Sequence, residues 1–187
     1  MGSMKKILKI DTRNLLATFQ AGVRGADAEA AVNRQGLILG HYPQSIDLSS
    51  VGGWVATRAA GQFSTAYGNI EDMLVGIEVV LPSGEVFRTP TVPRSSTGPD
   101  LKELFLGSEG TLGIITEVTF ALHWKPEKQA YSAYYADTMA KGFEFQRNVV
   151  QSGWSPPVMR QYDAPEVERL FPDYVHGKDV LIIMVHE

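Results

Sequence analysis

At 187 residues the chain can bury a sizeable core, as one domain or as two small ones, and 44% hydrophobic with 20% charged residues is ordinary for a globular protein. A formal net charge of −4 leaves no basic footprint for nucleic acid or an anionic membrane surface, and no apolar run approaches the ~20 residues of a membrane span. The absence of cysteine excludes disulfides, thiolate metal sites and a Cys nucleophile, and it fits a reducing, cytoplasmic setting.

The opening Met1-Gly2-Ser3-Met4 reads as a short added leader, not a signal peptide, because the segment after Lys5-Lys6 turns polar at once. Residues 7–20 hold β-like patches, of which 16–20 is the better. Gly22 and Gly25 then break the chain ahead of a helix expected over 27–35, with Ala28, Ala31 and Val32 on one side and Gly36 as its stop. A β-hairpin is expected over 74–87, its two apolar runs joined by Pro82-Ser83-Gly84, and it should share a sheet with the strand 114–122. Between them, 100–106 reads as a short helix with Asp100 as N-cap. The polar, Pro-containing stretch 123–128 marks a domain joint, giving expected domains 1–124 and 125–187. Beyond it come a strand over 130–135, a helix over 137–151, a strand over 158–162, a helix over 165–170 and a strand over 180–185. That order makes the fold class α+β. The chain stops within or just after an apolar strand, so both ends are expected to lie inside a longer protein.

Residues 41–70 carry the most chemical information. They are dense in Gly, Ser and Thr, with Asp47, Arg58 and the Glu71-Asp72 pair that follows as the only nearby formal charges. Such a stretch offers backbone N–H groups and short hydroxyls to a diphosphate or to the polar edge of a ring system. Gly52 and Gly53 would admit a ligand close to the backbone, and Ser45, Ser49 and Ser50 could donate to oxygens. On composition alone a Gly/Ser surface loop is an equally open reading. The second stretch, Gly107-Ser108-Glu109-Gly110-Thr111-Leu112-Gly113-Ile114-Ile115, places three glycines just before a strand. It is neither a Walker loop nor the dinucleotide fingerprint, since no Gly-Lys-Ser/Thr follows and a strand, not a helix, comes next. Four scattered histidines offer no metal-ligand spacing, and there is no nucleophile elbow. Arg160 sits in an otherwise apolar strand, either on its solvent face or turned inward to bind an anion.

Four motifs occur in order: Tyr42-Pro43-Gln44-Ser45-Ile46-Asp47-Leu48-Ser49-Ser50-Val51-Gly52-Gly53-Trp54, continuing through Thr57-Arg58-Ala59-Ala60; Tyr67-Gly68-Asn69-Ile70; Pro93-Arg94-Ser95-Ser96-Thr97-Gly98-Pro99-Asp100; and Gly107 to Thr116. Together they resemble the vanillyl-alcohol-oxidase-type (PCMH-type) FAD proteins, and most of all the alkyldihydroxyacetonephosphate synthase branch. The resemblance covers nearly the whole chain. It implies an FAD held between two subdomains, the second an antiparallel sheet flanked by helices. This chain would then carry the second half of the flavin-binding domain and the start of a substrate or cap domain. Pro43 to Ser50, Gly52, Gly53, Thr57 to Ala60, Tyr67, Gly68 and Glu109 to Ile115 would line the cofactor; Arg160 and Arg94 would face a small-molecule substrate. The chain departs from the family at Gln44, where an Asp is usual, and at Ser49-Ser50, where the pair is Ser-Thr; both keep hydrogen-bonding groups.

The resemblance also implies what should be missing: a Gly-rich diphosphate loop ahead of Met4, and late Tyr and His residues after Glu187. Four expectations follow. The parent is an FAD-dependent oxidoreductase or a synthase of this kind, with a D-lactate or 2-hydroxy-acid dehydrogenase as the alternative within enzymes and a non-catalytic, self-associating module outside them. The chain alone binds FAD weakly or not at all. Residues 41–68 are mobile without ligand, because little else orders a Gly/Ser-rich segment. Bare sheet edges lead to homo-oligomers.

Overall fold

The computed structural model describes residues 3–177 and 179–187, so Met1 and Gly2 of the leader reading lie outside the described residues. The chain divides into two compact units, Met1–Lys125 and Pro126–Glu187.

The first unit is built on a five-stranded sheet of order β1-β2-β6-β4-β5, antiparallel throughout. Its strands are β1 (Ile7–Asp11), β2 (Leu16–Gln20), β4 (Leu74–Val80), β5 (Val86–Arg88) and β6 (Ile114–Ala121). Around them come α1 (Gly25–Asn33), β3 (Leu37–Ile38), α2 (Val51–Thr57), α3 (Ser64–Tyr67), α4 (Ile70–Met73), α5 (Lys102–Phe105) and β7 (His123–Trp124), with β3 and β7 pairing as a separate ribbon. The expected hairpin is there, and β4 pairs with both β5 and β6 in one sheet. Its turn closes locally, Gly84 N–H donating to Leu81 O at 2.9 Å.

Period-two alternation gives this sheet two unlike faces. One buries Ala17, Phe19, Ile77, Val79, Ile115, Val118 and Phe120 under Trp54 and Val55 of α2 and Val32 of α1. Each large side chain so buried contributes roughly 1.5–3 kcal/mol. The other face carries Thr18 hydrogen-bonded to Thr119 (2.9 Å), and Glu78 ion-paired with Arg88 beside Glu117. The pairing of β4 with β6 slips at two points: between Leu74 and Gly76, where Val75 is extra on β4, and between Glu78 and Val79, which face Glu117 and Ile115, so that Thr116 is an extra residue on β6, a β-bulge. The Thr116 hydroxyl donates to Glu78 Oε1 at 2.6 Å.

The second unit is a three-stranded antiparallel sheet of order β8-β10-β9, from β8 (Ala130–Ala136), β9 (Val158–Tyr162) and β10 (Val180–His186). Helix α6 (Met139–Gln151) packs on all three strands and α7 (Ala164–Leu170) on β10. Thr138 caps α6 by accepting from Lys141 N–H (3.2 Å), and Asp163 caps α7 by accepting from Glu166 N–H (3.0 Å). The α+β class therefore holds for both units.

Two local readings are corrected. Asp100 is not the N-cap of α5: the cap position is Leu101, already helical in backbone, and the Asp100 carboxylate is ion-paired with Lys102 instead. The loop reading of 41–68 gives way in part to two helices, α2 and α3, of which α2 is buried through Val51, Trp54 and Val55.

Candidate functional site

Helix α2 is the spine of the candidate site. Ser50 caps it, its hydroxyl oxygen accepting from Gly53 N–H at 3.3 Å. The first two helical N–H groups are also engaged: Val51 donates to Val23 O and Gly52 to Ala21 O, each at 2.9 Å. A helix start binds an anion through unsatisfied N–H groups, and here the first turn has spent them on β2 and the turn after it. Gly52 is required by that packing, since a Cβ there would lie 2.4 Å from Ala21 Cβ. The expectation that Gly52 admits a ligand is thus replaced by close approach of the protein's own turn after β2. Gly53 differs, because a Cβ on it would approach only Ser50 Oγ, at 3.2 Å.

The loop 43–50 leads into this spine as a tight turn. Leu48 and Ser49 N–H both donate to Ser45 O at 2.8 Å, and Ile46 N–H donates to Pro43 O at 3.0 Å. Two more of its carbonyls are gripped by α1, with Gly25 N–H on Ser49 O and Ala26 N–H on Ile46 O, each 3.0 Å. The N–H groups of Gln44, Ser45 and Asp47 take no partner among the described residues, and Leu48 is 89% exposed. Ser49, expected to donate to a ligand, instead donates to Ser45 O. Ser45 and Ser50 keep hydroxyl protons free to donate.

At the other end of α2 the chain turns through Arg58, a non-glycine residue in the left-handed region (φ 52°), and Ala59 N–H returns to Trp54 O at 2.9 Å. The glycine-rich stretch docks here: Gly107 N–H donates to Val55 O and Glu109 N–H to Ala56 O, both at 2.9 Å, and Glu109 is also left-handed (φ 49°). Gly113 lies flush on β4, where a Cβ would meet Val79 Cγ1 at 2.6 Å and Val80 O at 2.9 Å. Gly110, Thr111, Leu112 and Ile114 remain exposed, while Ile115 turns into the core. Thr57 and Ala60 are exposed beside them; the Thr57 hydroxyl donates to Gly53 O at 2.9 Å.

The structure thus brings loop 43–50, residues 57–60 and residues 109–115 to the two ends of one short helix, roughly 10 Å apart at 1.5 Å per residue. It does not bring every expected residue there. Tyr67 packs its ring on His123 (4.7 Å between centroids) and over Gly40, and Gly68 ends α3 against Asp72. Arg94 lies in the exposed stretch 91–100. Arg160 is half-buried on β9 of the second unit.

Two buried polar residues escaped the sequence reading. Glu29 accepts from Leu39 N–H (3.1 Å), Asn33 Nδ2 (2.8 Å) and the Tyr42 hydroxyl (2.7 Å), so it fixes the approach to the 43–50 loop. His41 is fully buried edge-on to Trp54 (4.6 Å), its ring nitrogens unpartnered, and burial pushes its pKa down to about 4. No sequence signal marks a helix glutamate or a loop histidine as buried. On the opposite sheet face, burial and then the neighbouring Glu78 raise the Glu117 pKa.

The profile of the FAD binding domain matches residues 1–90. The chain is 43% identical over 183 residues to the uncharacterized FAD-linked oxidoreductase YgcU of Escherichia coli K12, covering 97% of this chain and 38% of that protein. It is 40% identical to the alkyldihydroxyacetonephosphate synthase of Caenorhabditis elegans over 87% of this chain and 27% of that one. A solved alkyldihydroxyacetonephosphate synthase superposes on the whole chain with a TM-score of 0.89 at 33% identity, and the chain spans 37% of its length. FAD is accordingly the cofactor to test against the site. The donors on offer are uncharged N–H groups and hydroxyls, flanked by exposed Leu48, Leu112 and Ile114. That set suits a long ligand with hydroxyls, diphosphate oxygens and a flat apolar ring, and so it fits FAD.

Proposed function

We propose that this chain forms one wall of an FAD site in a flavoprotein of the FAD-linked oxidoreductase and alkyldihydroxyacetonephosphate synthase kind. The observation that carries this is the docking of the 107–113 turn on the last turn of α2, with the 43–50 loop at its first. Gln44, Ser45 and Asp47 N–H and the Ser45 and Ser50 hydroxyls donate to the ligand's oxygens. Leu48, Leu112 and Ile114 exclude water from its rings. Residues 1–124 act as the second half of the flavin domain and 125–187 as the start of a substrate domain, whose Arg160 guanidinium meets an anionic group of a small-molecule substrate. When bound, the flavin supplies hydride acceptance from an alcohol or 2-hydroxy acid, or a site for covalent capture of the substrate. The setting is cytoplasmic, and the chain associates with further copies of itself. Among the described residues no helix is long and apolar enough to cross a membrane.

One wall alone should hold FAD only at micromolar concentrations or above, since each missing hydrogen bond to a charged group removes about 1.5–3 kcal/mol and each 1.4 kcal/mol is tenfold. FAD titrated into the isotope-labelled chain should move amide resonances of 43–50, 57–60 and 109–115 with weak, saturable binding. Shifts elsewhere, or none at millimolar FAD, overturn the reading; a sub-micromolar complex overturns the single-wall form of it.

A further inference from the structure

We infer that Trp54 is a positioning residue for the ligand-facing loop, acting through Ser49 without touching the ligand itself; the flavin part of this rests on the reading above. Its indole N–H donates to Ser49 Oγ at 2.8 Å, and the Ser49 hydroxyl donates in turn to Ser45 O, also at 2.8 Å. Ser45 O is the hub of the loop, because Leu48 and Ser49 N–H bond to the same oxygen. The relay therefore fixes the turn whose outer side presents the Ser45 and Asp47 N–H groups. Without the indole, the Ser49 hydroxyl has no donor to orient it and is free to rotate away from Ser45 O.

The fold holds the indole in place from several sides. Trp54 is 2% exposed, lies edge-on to His41 and 6.4 Å from Phe120 between ring centroids. Its six-membered ring also occupies the space in front of Gly25, where a Cβ would come within 2.2 Å of Trp54 Cζ2 and 2.9 Å of Ile46 O. Gly25 is thus glycine because the indole and the loop both press on it, and its own N–H grips Ser49 O. One side chain ties the hydrophobic core, the start of α1 and the loop turn to each other.

Amide exchange in the full chain tests this without any cofactor. Leu48 and Ser49 report on the loop turn; Phe19 and Val118, paired across β2 and β6, report on the sheet. Ser49→Ala, which leaves the core intact, should accelerate Leu48 and Ser49 exchange by about fivefold, the value of one net hydrogen bond, while the sheet amides keep their rates. Trp54→Phe should do the same to the loop, and Ser49→Thr, which keeps the hydroxyl, should behave as the parent. The midpoint of the FAD titration should rise in Ser49→Ala, by about fivefold at most, and not in Ser49→Thr. Unchanged loop exchange in Ser49→Ala, or acceleration of loop and sheet alike, overturns the inference. If the parent shows no FAD-induced shift, the flavin reading fails, and loop exchange still decides whether Trp54 positions the turn.

Discussion

His41 sets a pH limit on stability. Burial lowers its folded pKa from 6.5 to about 4, so the unfolded chain binds the proton more readily. The stability this neutral imidazole secures is complete above pH 6.5 and is lost as pH falls from there towards about 4, amounting to roughly 3 kcal/mol across the window. Urea unfolding of the parent at pH 7.5, 5.5 and 4.5 should show that decline, and His41→Phe should flatten it. An equal decline in both proteins would assign the effect to other groups.

The elements stand or fall by how closely their backbones meet. At Gly52 a methyl group would overlap Ala21 Cβ, so Gly52→Ala must lift α2 from β2. Overpacking of this kind costs about 1–3 kcal/mol, more than the helix propensity of alanine returns. A lowered urea midpoint is expected, with weaker FAD binding as its consequence; a midpoint at or above the parent's would show that the helix can shift freely. The same helix shows where sequence reading stops. The β4–β5 hairpin was legible because its turn, Pro82-Ser83-Gly84, and both flanking runs lie within fifteen residues of one another. Helix α2 was not, because two glycines in seven residues read as a loop, and what makes them helical is distant: carbonyls of Ala21 and Val23 and the burial of Trp54. The glycines of 52–53 and 107–113 did announce close approach of backbone. They could not announce what approaches, and at Gly52 and Gly113 it is the protein's own backbone, Ala21 in the turn after β2 in one case and Val79 with Val80 of β4 in the other. The site's outline was therefore readable, whereas the division between residues that face the ligand and residues that support them needed the fold.

Across the whole molecule, the continuous buried cluster runs from Ala17 to Leu122 and lies within the first unit. A chain of residues 1–125 should consequently fold by itself, with amide resonances of β2, β4, β6 and α2 superposing on those of the parent. A collapsed, poorly dispersed spectrum would show that the first unit depends on the second.

The order β1-β2-β6-β4-β5 has a consequence for how such a chain comes off the ribosome. Its central strand, β6, is the last of the five to be made, and β2 waits about a hundred residues for the neighbour it needs, as the pairing of Leu16 with Ala121 makes plain. Until that strand emerges, β1–β2 and β4–β5 exist only as separate hairpins with open edges, and the apolar faces of Phe19 and Ile77 are not yet joined into the one surface that α1 and α2 cover. The sheet is assembled by insertion of its centre, so it stays in its most adhesive state from the making of β2 until residues 114–121 emerge.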